Sequence, residues 1–574
     1  MAKFKFFTFL LLQLKLFAQG QYTDGPEVLT NPNFENDFGT SDWFCNGCTV
    51  DRTSEDKVEG QYSARITNRR AGWAGIAQNV NLAANTRYAV SGHIKLLNNV
   101  STHLYHRVQY RVNINNGGQN IAVGRLPNLR QAQGWQKIGG DFITPATVTS
   151  ARIYIQIPEP EINYLFDKTS LKEVIPDKDW VDKANKRIEA IRKGDVAIRL
   201  NITDGTVNPA TVKLEVRQKR HEFAFGTAVK GKLINGTDSG TATAEKYRQW
   251  FYDNFEWAVI ENDLKWRIME WTPGNINYAR GEAPVDTILA RGIPVRGHCV
   301  FWGVDQSVPD WLKEYNGTQV RREMTRRVNG VVDRYRGRLA HWDVYNEALH
   351  GFFFEDKTRD VNIILEMFRE TREVDPGVKL FLNDYAVSRE GILTQAYANQ
   401  AEFLKGNGYD ISIGVQGHYK TGFAPDIHLI AKRMDILAGV SVPVWITEMD
   451  VENTNRDVRA ADYEKLWRFM FSHPSVDGIM LWGFWDQAHS KPQAALVEGN
   501  DLTPNAAGLA WQRVTQEEWS TNQDLSPNGA VQTFNLRAFH GEFDLTVKVN
   551  GAVRETQSFS VLKNAGHVTI DVTL

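Results

Sequence analysis

The chain has 574 residues, enough for several folded units at roughly 150 residues each, so a lone small binding module is excluded. Lysine plus arginine number 66 against 68 aspartates plus glutamates, and the net charge of −2 offers no basic excess for nucleic acid or anionic lipid. At 42% hydrophobic and 23% charged the composition is that of a folded globular protein, with a surplus of 17 Trp, 18 Tyr and 29 Phe, rings that pack cores and also stack on sugars.

Lys3 and Lys5 precede a mostly apolar run over residues 6–17, and Ala18-Gln19-Gly20 follows with small residues, the pattern of a secretory signal over residues 1–20. Lys15 interrupts the run, which is shorter than the roughly 20 apolar residues of a membrane span. The expectation is an exported, extracellular protein with no membrane attachment after cleavage. Cys45 and Cys48 flank the turn dipeptide Asn46-Gly47 and are expected to form a local disulfide. With three cysteines in all, no second pair exists to complete a zinc or redox site, and no metal or cofactor is expected.

Residues 21–174 alternate with period two: Val108, Tyr110, Val112 and Ile114 interleave with Arg107, Gln109, Arg111 and Asn113, which predicts an all-β, jelly-roll-like sandwich. A linking region over 175–221 follows. Val181, Ala184, Ile188 and Ile191 recur there at helical spacing, Gly194 is expected as the C-terminal cap, and strands are predicted over 196–202 and 212–216. The C-terminal segment 516–574 is again strand-like, with Asn550-Gly551 as a hairpin turn. These two groups of strands are expected to pack together as a small accessory unit.

Between 222 and 515, eight apolar, β-branched runs begin near Phe223, Trp257, Ile293, Ala340, Val378, Ile411, Val442 and Gly478, and each interval holds one strand and one helix. Strands too apolar for one-sided burial, eight times over, predict an α/β domain of the (β/α)8 TIM barrel kind. Functional groups gather where the runs end. These are Glu261, Asn262 and Lys265 after run two, His298 and Trp302 after run three, Asn346 and Glu347 after run four and Tyr385 after run five. Gln416 and His418 follow run six, Glu448 and Asp450 run seven, and Trp482 and Trp485 run eight. In such a barrel the C-terminal strand ends line one cleft. Two glutamates from opposite sides of it, among amides, imidazoles, a lysine and indoles, suit an acid and a nucleophile facing across a glycosidic bond.

Trp342-Asp343-Val344-Tyr345-Asn346-Glu347, Ile446-Thr447-Glu448-Met449-Asp450, Glu261 to Trp266, and Arg296-Gly297-His298 resemble the signature segments of family 10 glycoside hydrolases, the retaining endo-β-1,4-xylanases. The resemblance implies Glu347 as acid/base and Glu448 as nucleophile, Asn346 on the 2-hydroxyl of the sugar being cleaved, and Gln416 with His418 and Asp450 in support. It implies further that Glu261, Asn262 and Lys265 hold the next sugar on the non-reducing side, and that His298, Trp302 and Trp482 shape the cleft; Tyr385 is read as a further substrate contact. Two departures touch binding positions: Gly303 stands where many members carry histidine, and the usual tryptophan is missing from residues 486–495, with Trp485 read as its substitute. The N-terminal unit resembles, more loosely, the β-sandwich carbohydrate-binding modules joined to such enzymes, through Asn33-Phe34-Glu35, Asn68-Arg69-Arg70, Trp73 and residues 164–167. Arg69, Trp73 and Tyr105 are its expected sugar contacts. The implied protein is a secreted, monomeric xylanase acting on plant cell-wall polysaccharide. A cellulase of mixed specificity and a non-catalytic polysaccharide binder stand as alternatives.

Overall fold

The computed structural model describes residues 21–38, 42–422 and 424–574. The expected signal over 1–20 lies outside them.

The period-two region forms two antiparallel sheets. One runs Thr49–Thr53, Ser63–Thr67, Tyr164–Pro176, Arg87–Leu96, Gln136–Ile143, with Tyr22–Glu27 on Tyr164–Pro176. The other runs Phe44–Asn46, Gly75–Val80, Ala151–Gln156, His106–Ile114, Gln119–Leu129. Alternation decides the faces: Val108, Tyr110, Val112, Ile153 and Ile155 point between the sheets and are buried with Ile66, Val90, Ile94 and Phe166. Cys45 and Cys48 are bonded.

The sandwich is joined to the barrel by more than a tether. Its strands lie against the barrel helices Thr394–Gly406 and Ile427–Ala438. Arg433 on the second helix donates to the Asp141 carboxylate through Nε at 2.8 Å, with both side chains buried. Tyr22 donates to Asp435 at 2.8 Å, and the Arg125 amide to the Ile392 carbonyl at 2.8 Å.

The helix Trp180–Ile191 presents Ala184 and Ile188 to the interior, while Val181 is exposed. Its cap is Arg192, not Gly194. Gly194 falls inside the strand Lys193–Asn201, because the Arg192 guanidinium is drawn into the carbonyls of Phe471, His473 and Val476 at 2.7–2.8 Å and ends the helix two residues early. Lys193–Asn201 then pairs with Val531–Phe539 on one side and Val568–Thr573 on the other, and Val212–His221 pairs with Asn522–Leu525 and Gly541–Val549. Strands from before and after the barrel thus share one core of Val196, Ile198, Leu200, Leu214, Val216, Leu545 and Val547. Asn550 and Gly551, both at positive φ, turn the hairpin between Val549 and Ala552.

All eight expected barrel strands are present: β1 Ala224–Val229, β2 Trp257–Ile260, β3 Val295–Trp302, β4 His341–Asn346, β5 Lys379–Asp384, β6 Ile411–Val415, β7 Val444–Val451 and β8 Val476–Leu481. They pair in sequence, all parallel, and the ring closes where Ala224 of β1 lies opposite Gly478 of β8. The floor is filled by Trp257, His341, Phe381 and Trp445, with His341 5.1, 4.8 and 4.6 Å from the other three ring centres. Above that plug, Arg296 donates to Asp343 at 2.6 Å, both 1% exposed. A buried pair of this kind fixes geometry more than it adds stability. It holds the layer on which the mouth is built.

Candidate active site

The β4 end delivers Asn346 and Glu347. Glu347 sits at φ 58°, in the left-handed region, and its amide donates to the Asn383 carbonyl at 2.8 Å. That conformation is uncommon for a residue with a side chain, and it turns the carboxyl off the strand into the mouth. There the Trp302 indole donates to one carboxyl oxygen at 2.8 Å and the Gln416 amide to the other at 3.2 Å. Burial raises the Glu347 pKa, and the charges of Asp384 and Glu448 push it the same way.

Glu448, on β7, receives the opposite treatment. Burial alone would raise its pKa, but the His418 hydrogen bond and the fields of His298, His418 and Lys265 win and hold it near 2. His418 Nδ1 lies 2.7 Å from Asp450 and Nε2 3.4 Å from Glu448, so one ring links the two acids. Its own pKa is raised to about 9: burial opposes the charged ring, and the Asp450 carboxylate overcomes it. Lys491 places its ammonium 2.8 and 2.9 Å from the two Asp450 oxygens. Asn383 completes the frame by donating to Glu448 at 2.7 Å and to the Asn346 side-chain oxygen at 2.9 Å. Asn346 Nδ2 is buried and without a partner.

On β2's end, Glu261 takes Lys230 at 2.6 Å, Asn262 donates to Glu261 at 3.2 Å, and Lys265 donates to Asn262 at 2.9 Å. The Lys265 ammonium lies 4.9 Å from the Trp302 ring and 5.8 Å from Trp482. Its pKa is lowered, chiefly by burial. His298 is held by Asp343 at 2.9 Å with Trp482 edge-on at 5.2 Å. Tyr385 stacks on His350 at 3.6 Å, and His350 is anchored by Asp384 at 2.7 Å.

Three expected contacts are corrected. Trp485 is not a cleft wall: it bridges to Val497, donates to the Gly499 carbonyl at 2.9 Å and packs beside Tyr247, 6% exposed, because the chain turns outward after Trp482. Arg69 is buried and spends its guanidinium on the carbonyls of Ala74, Glu159, Ile162, Gly72 and Ile157, pinning loops together with nothing left for a sugar. Tyr105 donates to Asp356 at 3.1 Å and lies on Phe352 at 4.7 Å, in the seam with the barrel. Trp73 is 52% exposed, an open ring over the Cys45 to Cys48 turn.

Sequence reasoning marked Asn383 only as part of the polar end of run five, with no role, and passed over Lys491. Asn383 was visible as a polar end to an apolar strand, the same signal that marked Asn346. The structure also accounts for Gly303: a β-carbon there would come within 2.5 Å of the Gly351 carbonyl, since the loops after β3 and β4 cross at these two glycines and leave no room for histidine. His103, His106 and Glu159 of the sandwich stand close enough to share a metal ion. His106 Nε2, however, accepts from the Val100 amide at 3.2 Å, which leaves the proton on the Nδ1 facing Glu159 and makes that atom a donor, not a ligand.

Comparison with known proteins places a model described as glycosyl hydrolase family 10 on residues 215–508 and one described as a carbohydrate binding domain on residues 26–161. Among curated relatives, endo-1,4-beta-xylanase 1 of Arabidopsis thaliana is 29% identical over 96% of this chain and 58% of its own length. The anti-sigma-I factor RsgI6 of Acetivibrio thermocellus is 33% identical over 72% of this chain and 52% of its own. The chain thus spans little more than half the length of these relatives. Among solved structures, xylanase 10B of Thermotoga petrophila in complex with xylobiose is 22% identical, with a TM-score of 0.48, over 52% of this chain and 95% of that one.

Proposed function

We propose, on the premise that this chain belongs to glycosyl hydrolase family 10, that it is a retaining endo-β-1,4-xylanase. The reading is carried by the opposite treatment of two carboxyls in one mouth: Glu347 is biased toward its protonated form and Glu448 is held ionised. Glu448 attacks the anomeric carbon while the Glu347 proton passes to the departing glycosidic oxygen, leaving a glycosyl ester on Glu448. Esterification removes the Glu448 charge that had helped raise Glu347, so the Glu347 carboxylate becomes the weaker base suited to drawing a proton from water. That water attacks the same carbon and displaces Glu448 as its carboxylate, Glu347 regains its proton, and the second inversion restores the β configuration.

The unpartnered Asn346 amide supplies a donor for the 2-hydroxyl, and burial makes such an orphan costly until substrate arrives. Glu261, Asn262 and Lys265 hold the next sugar, with Trp302 and Trp482 as apolar walls. Trp73 and the sandwich hold the polymer. The protein works outside the cell as a monomer, after loss of residues 1–20.

The test separates the two roles. Glu448→Ala should lose about 10^5-fold on every substrate and give α-glycosyl azide when azide fills the vacated space. Glu347→Ala should fail on xylan, retain glycosylation from an aryl xyloside with a good leaving group, and give β-azide. Identical responses of the two variants would overturn the assignment, and faster release from soluble cellulose than from xylan would overturn the substrate.

A further inference from the structure

The sandwich sheet built from Phe44–Asn46, Gly75–Val80, Ala151–Gln156, His106–Ile114 and Gln119–Leu129 has an unusual charge pattern. Its five strands carry four arginines, Arg107, Arg111, Arg125 and Arg152, and no aspartate or glutamate. Alternation puts Arg107, Arg111 and Arg152, with Gln109 and Tyr154, on the face away from the core. Register gathers them, for Arg111 lies opposite Tyr154, and Gln109 lies opposite Arg125.

Two of the guanidiniums are positioned by neutral groups. Arg111 donates to the Tyr154 hydroxyl at 3.2 Å and to Gln109 and the Asn120 carbonyl at 2.8 Å each. Arg152 lies 5.2 Å from the Phe44 ring centre and donates to Asn79 at 2.9 Å. Arg125 Nε is buried with no partner. Among the described residues none of the four forms an ion pair, whereas Arg433, Arg459 and Arg468 elsewhere each hold a carboxylate. The acid that Arg125 feels is Glu390, already paired with Arg389. Four like charges on one sheet destabilise the fold until something outside neutralises them. The whole chain, at −2, supplies no general attraction for a polyanion.

We propose that this arginine face binds the carboxylates of a uronic-acid-substituted xylan, resting on the reading that the sandwich holds xylan. Guanidinium matches a carboxylate with two parallel hydrogen bonds, and Tyr154 and Phe44 offer ring faces beside it. The edge strand of this sheet also touches the barrel. The Arg125 amide donates to Ile392 in the loop that leaves β5 and carries Tyr385.

The experiment measures binding of the full chain, carrying Glu448→Gln to spare the polymer, by affinity electrophoresis. Glucuronoxylan is compared with the same polymer after its carboxylates are reduced to alcohols. The acidic polymer should bind about tenfold more tightly at low salt, an advantage that fades as salt rises. Arg107→Gln with Arg152→Gln should abolish that advantage, leave binding of the reduced polymer within about twofold, and leave cleavage of an aryl xylobioside by the otherwise intact enzyme unchanged. Equal binding of the two polymers, or a preference that survives the double substitution, overturns the inference alone. Single-stranded DNA competing as well as glucuronoxylan overturns it in favour of indiscriminate anion binding. Failure to bind either xylan, with aryl xylobioside still cleaved, overturns the underlying reading of the sandwich as well.

Discussion

The barrel mouth and the arginine sheet both set charged side chains on a β scaffold, but they treat charge in opposite ways. In the mouth most charges answer to an opposite one: His418 lies between Asp450 and Glu448, Lys491 holds Asp450, Lys230 holds Glu261, and Arg296 and His298 share Asp343. On the sheet, the Arg111 and Arg152 guanidiniums are steadied by amides, a phenol and a ring, and among the described residues none of the four arginines forms an ion pair. Chemistry at a carboxyl demands a protonation state fixed in advance, which only partners held rigidly in a low dielectric provide. Recognition of a charged polymer demands the reverse, because a cation already paired inside the protein has little left to give.

That contrast can be strained from several directions. The largest effect belongs to an arginine that is paired and buried. Asp141→Asn strips Arg433 of its carboxylate and should cost about 3–5 kcal/mol, visible as a fall in the melting temperature with turnover on a short aryl xyloside preserved below it. In the mouth, Asn383→Ala removes the one donor shared by Glu448 and Asn346. It should lower kcat about 100-fold while leaving KM for the aryl xyloside within about threefold.

A smaller effect concerns pH. Activity requires protonated Glu347, so it falls as pH rises through that raised pKa, and on the acid side it falls only as pH drops toward the Glu448 value near 2. The Trp302 hydrogen bond favours the Glu347 carboxylate, so Trp302→Phe should move the alkaline limb of kcat/KM to higher pH. A limb moving to lower pH would show that the indole does not act on Glu347. The smallest effect is on the sheet itself: Arg107→Gln, exposed and unpaired, should change stability by less than about 0.5 kcal/mol. A calorimetric scan showing a loss of several times that would mean the sheet arginines are pinned after all.

The eight strands and their polar ends were legible because a two-sided barrel strand is apolar throughout, so an amide, acid or indole at its end stands out from its own segment. Glu347 and Glu448 are of this kind. Trp485 had the same signature and a different fate: whether a residue past a strand end turns inward is decided by the returning chain, here Val497 and Gly499, which local pattern does not encode. Arg69 looked like a ligand contact because arginine beside tryptophan is a sugar-binding composition, yet five carbonyls converge on it, two from its own loop and three from the distant residues Ile157, Glu159 and Ile162. The Asp141 to Arg433 pair joins residues 292 apart and left no local trace. Gly303 was visible as a departure, but its reason lies in Gly351 on another loop.

The accessory sandwich carries a consequence for biosynthesis. Its early strands, Lys193–Asn201 and Val212–His221, leave the ribosome long before their partners. Thr203 hydrogen-bonds the carbonyl of Leu574, 371 residues later, and at about 5–20 residues per second that interval lasts about 20–70 s. Throughout it the nascent strands are open edges while the barrel folds beside them. Lys213, Arg217, Lys219 and Arg220 crowd the longer of the two, and like charges on an open edge repel a second copy of the same strand. The strands after the barrel therefore act as a clasp: the barrel is made first, and the strands before it gain their partners only once Val531–Phe539, Gly541–Val549 and Val568–Thr573 have been made.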